Sequence, residues 1–288
     1  MSGLALAVVG VVIGACSGAP EQAAVPSAAP ATAATTEATP EVSATPGASA
    51  APQASAASEA SATPSAAAPP PPPPSRCPAN MIEVPGGELA VGKGKAKQKV
   101  TVAPFCIDLN ETTADEYAAC VKGGGCNEDR VKVCDGATYG KPELAKNPMV
   151  CVDFTQAEAY CKAQQKRLVT TEEWEWAARG GAEDRYFPWG NDEPGDQACW
   201  GGKAGTRAVS CPIGSFPKGD SPLGIHDLGG NVYEWTTSAS DKTSTVRQGR
   251  GGSWKDSAKD LFRNDRPFIF KTTYRCGFLG IRCATTPQ

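Results

Sequence analysis

Short runs of apolar residues separated by turn-forming residues set the first elements of this chain. Met81 to Val84 and Leu89 to Val91 are two such runs, punctuated by Val84-Pro85-Gly86-Gly87, and the pattern predicts a hairpin. Val100-Thr101-Val102-Ala103-Pro104-Phe105-Cys106-Ile107 reads as the strand that follows. Three helices are then announced by one device, a threonine with a glutamate three positions on: Thr113 with Glu116, Thr155 with Glu158, and Thr170 with Glu173. In each pair the two side chains satisfy helix N-terminal amides reciprocally. The predicted helices run to about Lys122 before Gly123, to about Gln165, and to Arg179 before Gly180-Gly181. On the third, Trp174, Ala177 and Ala178 share one face suited to a core. Beyond Gly181 the chain is rich in Gly, Pro, Asp and Trp and keeps neither helical nor strand periodicity. Short strands are expected only around Ala208 to Ser215, Tyr233 to Thr236 and Phe278 to Arg282. A long irregular tail after a few helices is not the pattern of a doubly wound sheet.

The opening of the chain is of another kind. An apolar stretch from Leu4 to Ile13 leads into Ile13-Gly14-Ala15-Cys16, too short to span a bilayer and ending in small residues. This reads as a signal peptide (residues 1–16) with a lipobox, and Cys16 as the acylated residue of a lipoprotein of the bacterial cell envelope. No Lys or Arg precedes the apolar run, which is unusual for such a leader. Residues 17–76 are almost entirely Ala, Pro, Ser, Thr and Glu, with six consecutive prolines from Pro69 to Pro74. That composition cannot bury enough apolar area to offset ordering entropy, so a disordered tether ending in a stiff spacer is expected. A ligand for proline-binding modules is the less economical reading.

Every aromatic residue lies in residues 77–288, which form one domain with ample length for a core. The four acids before Arg76 leave the rest of the chain with 28 basic and 27 acidic residues, so no general attraction to nucleic acid is expected. Lys93, Lys95, Lys97 and Lys99 alternate as on the solvent face of an edge strand. Eleven cysteines besides Cys16 point to an oxidising compartment. Zinc is disfavoured, because no Cys-x-x-Cys occurs and His226 is the single histidine.

Further motifs follow in compact order: Lys166-Arg167-Leu168, Glu173-Trp174-Glu175-Trp176-Ala177-Ala178-Arg179-Gly180-Gly181, Gly229-Gly230-Asn231-Val232-Tyr233-Glu234-Trp235, Arg250-Gly251-Gly252-Ser253-Trp254 and Gly280-Ile281-Arg282-Cys283-Ala284. Together they resemble the sulfatase-modifying factor family, whose best-known members are formylglycine-generating enzymes. The resemblance covers essentially the whole globular part. It implies an α+β, C-type-lectin-like fold with little regular secondary structure, and a disulfide from Cys161 to Cys283. Spacing does not determine the other bridges. Cys199 with Cys211, Cys77 with Cys106, and two pairs among Cys120, Cys126, Cys134 and Cys151 are the expected set, which leaves Cys276 over.

The resemblance also implies a calcium site, with a side chain at Asp227, carbonyls at Gly230 and Val232, and the Glu234 carboxylate. Two acids bracketing a Gly-Gly turn are hard oxygen donors of the kind calcium prefers. A turn-capping or arginine-pairing role for Glu234 is the plainer alternative. A second family calcium site falls near Ala198 and Cys199, where no acidic match stands. In the copper enzymes two cysteines lie three and eight residues after the serine of Arg-Gly-Gly-Ser. Here those positions are Asp256 and Leu261, neither a soft ligand for copper(I). Nonheme iron relatives rest on several histidines, and His226 alone supports neither that chemistry nor a catalytic triad. Arg250, Ser253, Trp254, Asp256, Arg263 and Arg266, with Asn264 and Asp265, cluster near the family's substrate cleft. As ligand-binding residues they suit an extended peptide or a saccharide; as fold residues, Arg250 and Trp254 tie the tail to the core. The expectation is a monomeric, calcium-stabilised binding or accessory module without copper. The alternative is a formylglycine-generating oxidase with displaced metal ligands.

Overall fold

The computed structural model describes residues 76–92, 97–202, 207–237 and 245–288. The leader and nearly all of the tether, with Cys16, lie outside them, as do Lys93 and Lys95. The first apolar run is β1 (Met81–Val84) and the second lies in β2 (Gly87–Val91), but the two do not form a hairpin. β2 pairs instead with β3 (Gln98–Val102), while β1 pairs with β4 (Phe105–Asp108), both antiparallel. The expected single strand is therefore cut in two at Ala103-Pro104. The cause lies in two facing bends. A Cβ on Gly86 would sit 2.5 Å from the Val102 carbonyl oxygen and 2.8 Å from the Pro104 ring, so the chain passes from one sheet to the next only where no side chain intervenes. The Trp176 indole N–H donates to the Pro85 carbonyl at 2.7 Å and fixes the bend against a helix.

Helix α1 (Ala114–Lys122) begins at the expected Thr113–Glu116 capping box and α3 (Thr171–Arg179) at Thr170–Glu173. Helix α2 (Phe154–Ala163) starts earlier than expected, on a box formed by Asp153 and Gln156 rather than Thr155 and Glu158, and ends at Ala163 rather than Gln165. Starting there brings Phe154 into the helix on the inward face already set by Ala157, Tyr160 and Cys161. Gly180 ends α3 in the left-handed region at φ 72°, a conformation in which Gly is at ease.

Two further strands, β5 (Arg167–Leu168) and β10 (Cys283–Thr285), complete a sheet of order β1-β4-β10-β5. The tail builds a second sheet from β6 (Tyr233–Thr236), β7 (Val246–Arg250), β8 (Phe268–Lys271) and β9 (Leu279–Gly280), ordered β8-β7-β6-β9, with β6 and β9 parallel. No strand forms at Ala208 to Ser215. The Cys199–Cys211 disulfide and a bond from the Cys211 amide to Asn231 hold that segment instead.

Trp174, Ala177 and Ala178 are fully buried against Leu89, Phe105, Ile107 and Ile225. A second cluster packs Tyr117, Phe154 and Tyr160 of α1 and α2 on Trp235 and Phe270 of the tail sheet. All the expected cystine partners are found: Cys77–Cys106, Cys120–Cys126, Cys134–Cys151, Cys161–Cys283 and Cys199–Cys211. Cys276 takes part in none of these and is buried. Cys161–Cys283 joins α2 to β10 across 122 residues, a closure that removes about 4–5 kcal/mol of chain entropy from the unfolded state. No described helix is long and apolar enough to cross a membrane.

Candidate functional site

The sequence-predicted calcium residues fall on the turn that enters β6. Asp227 and Asn231 both hold left-handed backbone, at φ 56° and 57°, and Gly230 lies between them at 99°. The turn is so tight that a Cβ on Gly230 would meet the Cys199 carbonyl oxygen at 2.9 Å. Asn231 is the hub: its amide nitrogen donates to Glu111 at 2.6 Å and its side-chain oxygen accepts from the Cys211 amide at 2.9 Å. Glu111 also accepts from the Val232 amide at 3.2 Å. Glu234 accepts from Arg282 at 2.8 and 2.9 Å and from the Trp174 indole at 2.6 Å. Asp227 accepts from the Gly214 amide at 2.6 Å.

Glu111, Asp227 and Glu234 are thus three buried carboxylates around one buried guanidinium, Arg282. Burial, with Asp227 and Glu234 close by, pushes Glu111 well above the usual carboxylate range. Burial also raises Asp227, and raises Glu234 against the opposing pull of Arg282. For Arg282 the acids outweigh burial and hold the guanidinium charge more firmly. In kind, the donors suit a hard cation. As they stand, the oxygens turn toward Arg282, Trp174, Asn231 and Gly214. Among the described residues no three His, Cys, Asp or Glu side chains group so as to hold a metal ion.

A second charged cluster has the opposite balance among its buried groups, with the exposed Asp184 reaching Arg179 at 3.3 Å. Glu175 on α3 bridges Arg179, one turn on, and Arg250 at the end of β7, the latter at 3.1 Å. Arg250 also donates to the Asn264 carbonyl at 2.8 Å, and burial lowers its hold on its proton. Trp174 joins the two clusters, since Arg250 lies 5.9 Å over the ring whose N–H reaches Glu234.

The expected ligand-binding residues divide. Arg250, Ser253, Trp254 and Asp256 are inside the protein and occupied with it. The Trp254 amide donates to the Asn231 carbonyl at 2.7 Å and its indole to the Gly277 carbonyl at 2.8 Å. Asp256 accepts from the Ser253 amide at 2.9 Å, from its hydroxyl at 2.8 Å, and from the Tyr233 hydroxyl. Burial nevertheless lifts Asp256 to about 6. All four side chains are buried and bonded within the protein; for Arg250 and Trp254 this accords with the fold role that the motif equally allowed. Arg263 and Arg266 do reach the surface. His226 is half-buried and bonds Asp220 at 2.8 Å, a structural role.

Sequence reasoning missed Glu111, Asn231, Arg282 and the Glu175–Arg179 pair as partners in these clusters. The i,i+4 spacing of Glu175 and Arg179 was a legible signal. Nothing local marks Glu111, which lies 120 residues from Asn231.

The sulfatase-modifying factor enzyme 1-like domain matches residues 66–287 of this chain. The chain belongs to that family. Among its relatives, the inactive C-alpha-formylglycine-generating enzyme 2 of Bos taurus is 31% identical, over 72% of this chain and 88% of its own length. The formylglycine-generating enzyme of Streptomyces coelicolor is 27% identical, over 76% of this chain and 93% of its own. The fold is shared with PvdO from Pseudomonas aeruginosa (TM-score 0.62, 23% identity, covering 72% of this chain and 94% of that one). It is shared also with CarF (TM-score 0.59, 21% identity, covering 73% and 99%).

Proposed function

We propose that this chain is an exported, lipid-anchored binding or accessory module of the family, without copper oxidase chemistry. The observation that carries the reading is the donor set. Asp256 and Leu261 stand where the resemblance puts the thiolate pair, and ten of the eleven cysteines of the domain are closed in disulfides. One remaining thiol, Cys276, does not make the two-thiolate centre that holds copper(I). The residues do not fit copper. A relative that bears the name of an inactive formylglycine-generating enzyme points the same way. The purified protein, offered copper(I) and a Cys-x-Pro-x-Arg peptide, is expected to leave the cysteine unchanged by mass spectrometry. Formylglycine in that peptide means an oxidase with displaced ligands and overturns the proposal.

Calcium belongs to the same proposal, held by Asp227, the Gly230 and Val232 carbonyls and Glu234. Its role there is to offset buried charge and stiffen the turn into β6. Calcium added to chelator-treated protein is expected to raise Tm by about 5–10 °C. An unchanged Tm removes calcium from the account. Anchoring rests on Cys16, and Cys16→Ala is expected to release the protein from the membrane fraction.

A further inference from the structure

The accessible part of the expected binding region centres on a residue the motifs did not single out. Tyr186 and Val133 are the two exposed large hydrophobic side chains among the described residues, and Tyr186 is 48% exposed. It is held in place rather than loose. Its amide donates to the Asn191 side chain at 2.9 Å, and its carbonyl accepts from the Asn264 amide at 2.8 Å. The Arg263 guanidinium lies 4.3 Å from the ring centre. Arg263 is itself gripped twice by Asp265, at 2.9 and 3.0 Å. The face is therefore a fixed aromatic ring with a planar, chelated ion pair stacked over one side of it.

Its charge balance narrows the partner. Arg263 pairs with Asp265, Arg266 with Asp260 at 3.4 Å, and the neighbouring Arg185 with Glu183 at 2.6 Å. Opposite charges cancel within the face, so it offers no net field to a polyanion or polycation. An apolar ring next to planar groups that both donate and accept is complementary to a neutral ligand with an apolar face and a fringe of hydroxyls. We propose that Tyr186, Arg263 and Asp265 form a platform for a neutral saccharide, its ring stacking on the side of Tyr186 that Arg263 leaves uncovered and its hydroxyls bonding at the rim to Arg263 and Asp265. This rests on the binding-module reading and names its ligand class.

The test titrates the intact protein with cellotetraose, chitotetraose and maltotetraose and, separately, with an uncharged extended peptide, by calorimetry and by aromatic fluorescence. At least one saccharide is expected to bind, with affinity about tenfold weaker in Tyr186→Ala and retained in Tyr186→Phe. Thermal melts of both variants establish that they fold. Saccharide binding that Tyr186→Ala leaves intact, or no binding of any of the three sugars, overturns the platform. Peptide binding that depends on Tyr186, without sugar binding, also overturns it while sustaining the binding-module reading. Conversion of a Cys-x-Pro-x-Arg peptide strikes the underlying reading instead.

Discussion

The two buried charge clusters differ in their surplus. Around Arg282, three carboxylates share one guanidinium; around Glu175, two guanidiniums share one buried carboxylate, and Arg179 reaches the exposed Asp184 besides. They stand side by side, since Glu234 and Arg250 are register partners on β6 and β7. Yet the two do not simply neutralise each other. Each takes its ion partner from elsewhere, Arg282 near the C-terminus and Glu175 on α3, with Trp174 between. The difference teaches that these ions serve to join distant segments. A direct Glu234–Arg250 pair would tie only two adjacent strands. A buried pair adds little net stability over a hydrophobic substitute, but removing one partner is costly.

The largest effect is therefore expected from Arg282→Met. It strands Glu234 beside Glu111 and Asp227, and it also strips donors from the Asp108 and His226 carbonyls, which Arg282 serves at 2.9 and 2.8 Å. A loss of about 4–5 kcal/mol in chemical denaturation is expected. A loss below about 1 kcal/mol means the acid cluster is already neutral without Arg282. Glu175→Gln leaves two buried guanidiniums facing a neutral amide, and about 3 kcal/mol is the expected loss. If both variants lose the same amount, the opposite surpluses have no energetic meaning. Trp174→Phe removes the indole N–H that reaches Glu234 and leaves a smaller ring in a fully buried site, costing about 2 kcal/mol. Its effect should be smaller when measured in Arg282→Met, because the two residues share Glu234.

The smallest expected effect concerns Asp256, outside both clusters. Its folded pKa, about 6, lies above the ordinary 3.8. The folded state thus binds the proton more tightly, and this site's contribution is full below about pH 4 and is lost as pH rises through 6. Asp256→Asn removes that dependence and is expected to stabilise the protein by about 1 kcal/mol at pH 7, with no gain at pH 4. Parallel pH profiles for the two proteins contradict the assignment.

Local chemistry made part of this legible. Capping boxes and Gly180 located α1 and α3 because helix ends are decided within four residues. The same rule misplaced the start of α2, where two overlapping boxes compete and the direction of the core decides for Asp153. The hairpin failed because Pro85-Gly86 matches a turn by composition, and only the opposing Ala103-Pro104 bend shows that the chain is changing sheets there. In the tail, the strands Val246–Arg250 and Phe268–Lys271 were not expected, since they pair with each other and with Tyr233–Thr236 rather than following a local pattern. The site was legible as motifs but not as contacts. Arg-Gly-Gly-Ser-Trp reads equally as a cleft or a strut, and only burial distinguishes them.

The amide of Gln288 donates to the carbonyl of Arg76 at 2.9 Å, so the first and last described residues stand side by side. A unit built this way occupies no length along a polypeptide. It can be spliced into a surface loop of an unrelated host, or cut and rejoined at another loop, without stretching either junction.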